Sequence, residues 1–187
     1  MNIAGIDWSM LSPAICITDS RTPFCYENCN IHFFSKKADN SIQLFPYDTI
    51  STWDKQEERF HWYSNWALDV LWQHNVKKVA IEGYAFGSTS GLVFNIGEST
   101  GALKQILWKK GIEFETVPPT VIKKFATGKG NAGKDLLKEQ FELETGYTKL
   151  KELLHETEKQ HNPSSDIIDA YFITKWMWMH SQTHKNS

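Results

Sequence analysis

The order of extended and helical segments limits most strongly how this chain can fold. Three short apolar segments occupy the first 35 residues, with turns at 9–13 and 19–23 between them: NIAGIDWS, PAICITDS and TPFCYENCNIHFFS. Consecutive strands joined by short turns form an antiparallel ribbon. Helical and extended segments alternate later in the chain, which adds parallel strands to a sheet. The sequence therefore predicts an α/β fold whose mixed five-stranded sheet, three antiparallel strands plus two parallel, is flanked by helices.

The later elements follow from the spacing of apolar residues. EERFHWYSNWALDVLWQHN has helical periodicity, and VKKVAIEGY is typical of a buried strand that ends at Glu82. A helix over 92–110, a strand in GIEFETVPP and a short helix in VIKKFA come next. A helix over 132–144 and a last helix that begins at Ser164 or Ser165 complete the order. The polar stretch 36–53 is predicted to be a loop.

Length and composition indicate one packed domain over residues 1–180, followed by a polar, disordered tail over 181–187. Eight Trp, eleven Phe and six Tyr are more than a disordered chain carries. No apolar run approaches the roughly 18 residues that a membrane span needs, and the N-terminus lacks a signal-peptide pattern. We expect a cytoplasmic protein without a membrane partner.

The cysteines are few and odd in number, so we do not expect a disulfide scaffold. Cys25, Cys29 and His32 could begin a zinc site, but no second pair of ligands follows them. Free thiols are the better interpretation of Cys16, Cys25 and Cys29.

Positive charge is concentrated in one part of a chain whose net charge is only −2. Residues 102–138 contain eight lysines and three acids, a local balance of +5. A solvated helix face would also explain such a run. The same region contains TGKGNAGKD, residues 127–135, which nearly matches the phosphate loop G-x-x-x-x-G-K-[ST] but has Asp135 in the last position. A nucleotide loop should follow a strand, whereas VIKKFA is predicted to be helical. We therefore expect no nucleotide cofactor here.

Four acids stand at the ends of apolar elements. Asp7 and Glu82 each end a predicted strand, and Asp166 and Asp169 share one face of the last helix because they are three residues apart. Asp166 alone could simply complement the helix dipole. Carboxylates in such places cost free energy unless they are paired, solvated or bound to metal. Together the four acids suggest divalent cations, and two such ions roughly 3.5–4 Å apart support phosphodiester hydrolysis.

These pieces resemble the RuvC family of Holliday-junction resolvases, which belongs to the RNase H-like nuclease superfamily. IAGIDWS is similar to the family's first strand, VAIEGYAFG to its glutamate strand, and SSDIIDAYFITKW to its final helix. VPPTVIKKFATGKGNAGKDLL resembles the family's proline, lysine and glycine-rich segment, and NIGESTGAL its dimer helix. No one motif is specific, but the ordered set covers nearly the whole chain.

The resemblance implies a metal-dependent endonuclease that resolves four-way DNA junctions as a homodimer, by paired symmetric nicks that leave 5′-phosphate ends. It makes Asp7, Glu82, Asp166 and Asp169 the ligands of two Mg²⁺ ions, for which Mn²⁺ would substitute, and makes Lys134 the catalytic cation. DNA would be bound by aromatic and basic residues, namely Tyr84, Phe86, Lys123, Lys124, Lys129 and Lys134. Either Tyr84 or Phe86 would contact an unstacked base at the junction.

The chain departs from the family pattern in three places. Trp8 and Ser9 replace the usual Pro-Gly after the first acid, Ala85 disturbs the register of the following aromatics, and the stretch 36–53 is long. The divergence resembles a bacteriophage-type member, which would act in the host cytoplasm.

Other functions remain open at this stage. A flap- or branch-directed nuclease, or an RNA/DNA-hybrid nuclease, would use the same acids. A catalytically silent junction-binding protein would share the fold. A sugar-kinase-like or actin-like nucleotide binder usually needs a second half for which 187 residues leave no room.

Overall fold

A mixed sheet forms the centre of the molecule in the computed structural model, which describes residues 1–35, 47–49, 53–84, 92–157, 159 and 161–183. Its strands within these ranges are β1 (Asn2–Asp7), β2 (Ala14–Asp19), β3 (Asn30–Ser35), β4 (Tyr47–Thr49), β5 (Val76–Glu82) and β6 (Glu113–Val117). They lie in the order β4-β3-β2-β1-β5-β6. β1, β2 and β3 are antiparallel, and β5 and β6 add to β1 in parallel.

The five predicted strands are confirmed, with one addition. β4 pairs in parallel with β3 at the edge of the sheet, inside the stretch that the sequence predicted to be a loop. The loop prediction for 36–46 and 50–52 falls outside the described residues.

Helices cover both faces of the sheet. In the same ranges they are α1 (Gln56–Gln73), α2 (Leu92–Lys109), α3 (Pro119–Thr127), α4 (Lys134–Thr145), α5 (Leu150–Leu153) and α6 (Ser164–Thr183). The short α5 was not predicted. α6 continues to Thr183, so the predicted tail starts as helix, and 184–187 lie outside the described residues. None of the helices in the described part is both long and apolar enough to cross a membrane.

The prediction of the third strand was wrong for its N-terminal half. β3 begins only at Asn30, and Tyr26–Asn28 form a single 3-10 turn. The aromatic residues before β3 leave the sheet to pack on the helices: the ring centroids of Phe24 and Tyr171 are 5.1 Å apart, and those of Tyr26 and Phe141 are 5.7 Å apart. Burial of these rings against α4 and α6 outweighs the extended pattern.

One apolar cluster lies on each face of the sheet, between the strands and the helices. β1 contributes to both clusters because its side chains point alternately to the two faces. Ala4, Ile6 and Trp8 pack with α1 and α2 on one face. Ile3 packs with α3, α4, α5 and α6 on the other. Asp7 is on the α6 side because side chains alternate along a strand.

Gly5 lets β1 lie directly against α6. Its N–H donates to Thr174 Oγ1 at 2.9 Å, and a Cβ added at Gly5 would lie 2.8 Å from the carbonyl oxygen of Ala170. Real side chains do not approach backbone atoms so closely. Only glycine fits this contact, which sets the distance between Asp7 and the start of α6.

Gly5→Ala is therefore expected to lower the free energy of unfolding by roughly 1–3 kcal/mol, the usual effect of overpacking. Denaturant unfolding with a chelator present measures it. Gly101→Ala on α2 is the matched control when unfolding is measured on the monomer, because an added Cβ there meets nothing within 4 Å in the single chain. It should raise stability by up to about 1 kcal/mol through helix propensity. Equal effects of the two changes would contradict the close β1–α6 contact.

Candidate active site

Asp7 and Glu82 lie at the same edge of the sheet. β1 and β5 are parallel neighbours with Ile6 opposite Ile81. Asp7 and Glu82 are the next residues, so they lie side by side at the C-terminal ends of the two strands. Asp7 is buried and Glu82 is partly buried. The sheet thus places two carboxylates side by side in a poorly solvated position.

α6 brings the remaining two acids to this edge. Asp166 lies in its first turn and Asp169 one turn later, on the face that packs against β1. The Asp7 carboxyl lies close enough to the three other acids for each of them to raise its pKa. The structure therefore brings together all four acids that the sequence indicated.

Burial raises the pKa of every member of this cluster, and repulsion between carboxylates adds to the rise for Asp7, Glu82 and Asp169. Burial, then Asp166, Glu82 and Asp169, hold the pKa of Asp7 well above its ordinary value. Burial raises the pKa of Asp169 to about 8, and the Glu82 and Asp166 carboxylates add to the rise. Burial also raises the pKa of Glu82 and of Asp166, although Lys134 opposes both shifts. Ionising the whole cluster at neutral pH therefore costs free energy, and without metal Asp169 still holds its proton there.

This donor set fits divalent cations. Carboxylate oxygens are hard ligands of the kind that magnesium and manganese prefer. In the described residues, no group of three or more His, Cys, Asp or Glu side chains is already arranged around a metal position. Two positive ions would remove the repulsion that raises the pKa values.

Two of the predicted basic residues border the acids. An open cleft of about 320 Å³ is lined by Asp7, Glu82 and Asp169 together with Lys123 and Lys134. Both lysines lower the pKa of Asp169 against the effect of burial.

Lys124 and Lys129 lie elsewhere. Both are exposed, Lys124 on α3 and Lys129 in the loop that follows, and neither is among the residues that line the cleft. The structure thus divides the predicted basic residues into two that reach the acids and two that face solvent nearby.

The glycine-rich loop connects two helices. α3 ends at Thr127, Gly128 adopts the left-handed conformation with φ of 77°, and Lys134 is the first residue of α4. A nucleotide-binding loop of the Walker type follows a strand. The geometry agrees with the prediction that this loop is not one.

Of the two candidate aromatic residues, Tyr84 lines the cleft and is partly exposed. The Lys104 ammonium lies 5.8 Å from its ring centroid. Phe86 lies outside the described residues.

Sequence reasoning missed the polar residues that surround Asp166. Ser12 and Ser165 contact its carboxylate, and Asn162 donates to both of its oxygens at 2.9 and 2.7 Å. Asn162 precedes Asp166 by four residues, a spacing at which side chains near a helix N-terminus can contact each other. This spacing could have indicated the contact from the sequence. Nothing in the sequence connects Ser12 to a residue 154 positions later.

The cysteines are free, as expected. Cys29 Sγ lies 3.3 Å from the carbonyl oxygen of Cys25, and His32 Nε2 lies 2.9 Å from His74 Nε2. The His32 ring therefore faces another histidine rather than the thiols.

A mixed sheet of this strand order, with clustered acids at the ends of its two central parallel strands and on its last helix, defines the RNase H-like class of nuclease fold. A family model described as crossover junction endodeoxyribonuclease RuvC matches residues 27–172, which are 146 of the 187 residues. The chain belongs to this RuvC family, and membership implies a nuclease that depends on a divalent metal.

Relatives agree with this assignment. The crossover junction endodeoxyribonuclease RuvC of Brachyspira hyodysenteriae is 24% identical over 123 residues, covering 65% of this chain and 76% of the relative. The structure of Thermus thermophilus RuvC matches with a TM-score of 0.62 at 17% identity and covers 98% of this chain and 97% of that one. The same protein in complex with a Holliday junction substrate matches with a TM-score of 0.61 at 16% identity, covering 98% and 96%.

Asp7 precedes the residues that the family model matches. Its place among the acids therefore comes from the pairing of β1 with β5 and from the contact of β1 with α6.

The raised pKa values predict how the metal-free protein responds to pH. A carboxyl group with a raised pKa binds its proton more tightly in the folded state than in the unfolded chain. For Asp169, the contribution of this proton binding to stability is complete below about pH 4, the ordinary pKa of the group, and is lost as the pH rises through its folded-state pKa of about 8. We expect denaturant unfolding in a chelator to show stability falling over this range.

Asp169→Asn should make that fall smaller, whereas Asp69→Asn, on the exposed side of α1, should leave it unchanged. Added Mg²⁺ should stabilise the wild type at neutral pH far more than it stabilises Asp169→Asn. If stability depends on pH identically in all three proteins, the pKa of Asp169 is not raised by its position among the acids.

Proposed function

We propose that this protein resolves four-way DNA junctions by paired symmetric nicks that leave 5′-phosphate and 3′-hydroxyl ends, with residues 1–180 acting as one nuclease domain. The observation that carries the proposal is the meeting of four carboxylates from β1, β5 and α6, three of which line an open cleft beside Lys123 and Lys134. Family membership supports phosphodiester cleavage at a DNA crossover.

The metal ligands in this proposal are Asp7, Glu82, Asp166 and Asp169. Asp7 interacts with all three other members, since Asp166, Glu82 and Asp169 each raise its pKa. Two Mg²⁺ ions, which Mn²⁺ can replace, supply a neutralised phosphate, an activated water and a stabilised leaving oxygen when bound.

Lys134 is the residue that we assign to stabilise charge on the phosphate during cleavage. It lies at the mouth of the cleft, and its ammonium faces the α6 acids through Asn162 and Ser165. Lys123 lines the same cleft from α3. A fixed positive charge aimed at developing negative charge in a partly enclosed site is a large source of catalysis.

Branched DNA is the substrate in this proposal, and the match to a RuvC bound to a Holliday junction supports it. Lys124 and Lys129 extend the positive surface beyond the cleft and would hold backbone phosphates. Tyr84 or Phe86 would contact an unstacked base at the crossover.

A homodimer would present two such sites to a two-fold symmetric junction. α2 supplies a candidate contact surface, because Phe94 and Trp108 are 77% and 73% exposed and lie fourteen residues apart on this helix. Gly97 and Gly101 lie between them and leave open space above the backbone. Exposed aromatics flanking small residues suit packing against a second copy of the helix.

Asp7→Asn tests the metal site. It should abolish cleavage of a labelled four-way junction with Mg²⁺ while binding of the junction is retained. Asp69→Asn is the matched control and should cut like the wild type. Cleavage by the Asp7 variant would refute the assignment of Asp7.

The same assay separates the alternatives when linear duplex, Y-shaped DNA and RNA/DNA hybrid are included. Symmetric nicks on the junction support a resolvase. Preference for Y-shaped DNA or hybrid would keep the metal chemistry and change the substrate. Binding by the wild type without cutting would indicate the silent junction-binding protein.

Lys124→Ala and Lys129→Ala test the DNA surface. Each should weaken junction binding and lower the slope of log affinity against log salt by about 1, because each removes one phosphate contact. Filter binding over a range of salt concentrations measures both quantities. Lys77→Ala, on the exposed side of β5, is the control and should change neither.

A further inference from the structure

Asn162 contacts an anion and a cation at once. Its Nδ2 donates to Asp166 Oδ1 and Oδ2, and its Oδ1 accepts from Lys134 Nζ at 3.2 Å. A carboxylate can only accept hydrogen bonds and an ammonium can only donate them, so the orientation of the amide follows from its neighbours. One planar neutral group therefore connects Lys134 to Asp166.

Two serines complete the network. Ser12 Oγ donates to Asp166 Oδ2 and accepts from Asn162 Nδ2 at 3.3 Å. Ser12 is buried and is held in place by Ser9 Oγ, which accepts its N–H at 3.2 Å. Ser165 Oγ lies 3.2 Å from both Lys134 Nζ and Asn162 Oδ1. Asp166 is thus held from the turn after β1 and from the start of α6.

We propose that Asn162 is a positioning residue that holds the Lys134 ammonium beside the Asp166 carboxylate, with Ser12 supporting the opposite side of the carboxylate. The inference rests on the proposed function and deepens it. It explains how an exposed, flexible lysine at the first position of α4 would act at a defined place.

The chemistry of the amide explains why asparagine suits this position. A long lysine side chain samples many rotamers, and two oxygen acceptors restrict its ammonium to the edge of the cleft. An aspartate in the place of Asn162 would also accept from Lys134 but would repel Asp166. The neutral amide orders both groups and leaves the negative charge of the cleft unchanged.

Asn162→Ala should lower kcat for junction cleavage roughly 10–100-fold, the usual effect of removing a group that orients a metal ligand. KM for the junction should change little, because Asn162 is not assigned a DNA contact. Asn162→Asp has the same shape but lacks the N–H donors, so its kcat should fall at least as far. Asn131→Ala, at an exposed position in the glycine-rich loop, is the control and should keep wild-type kcat.

A second readout does not depend on activity. Acetylation of lysine amines by acetic anhydride, followed by mass spectrometry on protein without metal or DNA, measures how freely each amine reacts. Lys134 should be acetylated several-fold faster in Asn162→Ala than in the wild type. The exposed Lys129 serves as the reference within each sample and should react equally in both.

The outcomes separate the two proposals. Wild-type protein that cuts no branched DNA would overturn the proposed function, while faster Lys134 acetylation in Asn162→Ala would still support the positioning contact. Wild-type kcat in Asn162→Ala or in Asn162→Asp would overturn the inference. Lost activity with a lower melting temperature and unchanged Lys134 acetylation would make Asn162 a purely structural residue, which also overturns it.

Discussion

The contact of β1 with α6 at Gly5 is the constraint on which the candidate site depends. The Gly5 N–H donates to the Thr174 hydroxyl, which also lies 3.0 Å from the carbonyl oxygen of Cys16 on β2. This contact sets the distance of α6 from β1 and β2. Asp7 comes two residues after Gly5, and the acids of α6 precede Thr174 by one and two turns. The position of Asp7 relative to Asp166 and Asp169 is therefore a consequence of backbone packing.

The clustering that this packing produces is electrostatically unfavourable by itself. Burial raises the pKa of all four carboxyl groups, and repulsion adds to the shift of Asp7, Glu82 and Asp169. Lys134 reduces the shift of the three acids other than Asp7 without removing it. The rest of the fold must supply the stability that the cluster costs, through two apolar layers on the two faces of the sheet. Carboxyl groups that resist ionisation when alone are favoured in their ionised form by bound cations, and the proposed metal chemistry uses this coupling.

The turn after β1 shows how the chain departs from its family's Pro-Gly pattern and still positions the first acid. Trp8 packs against α1 and α2: its Nε1 donates to Ser99 Oγ at 3.0 Å and its ring packs edge-on against Tyr63. Ser9 Oγ accepts the N–H groups of Leu11 and Ser12, so side-chain hydrogen bonds replace the rigidity of proline. The same turn positions Ser12 so that it donates to Asp166 and accepts from Asn162. The altered turn is therefore part of the hydrogen-bond network around Asn162.

Local patterns in the sequence were sufficient for the order of the elements other than β4 and α5, for the strand-end positions of Asp7 and Glu82, and for the shared helix face of Asp166 and Asp169. Such features depend on residues a few positions apart, so periodicity and turn residues reveal them. Local patterns failed where distant surfaces compete, as before β3, where Phe24 and Tyr26 turn to α4 and α6.

Only the tertiary structure decided which lysines of the basic stretch reach the acids. The packing of α3 places Lys123 in the lining of the cleft, and the chain that continues through the left-handed Gly128 into α4 places Lys134 there, whereas Lys124 and Lys129 lie in solvent. The tertiary structure also decided that Ser12 meets Asp166, since that contact joins residues 154 positions apart and exists only once β1 and α6 have packed together.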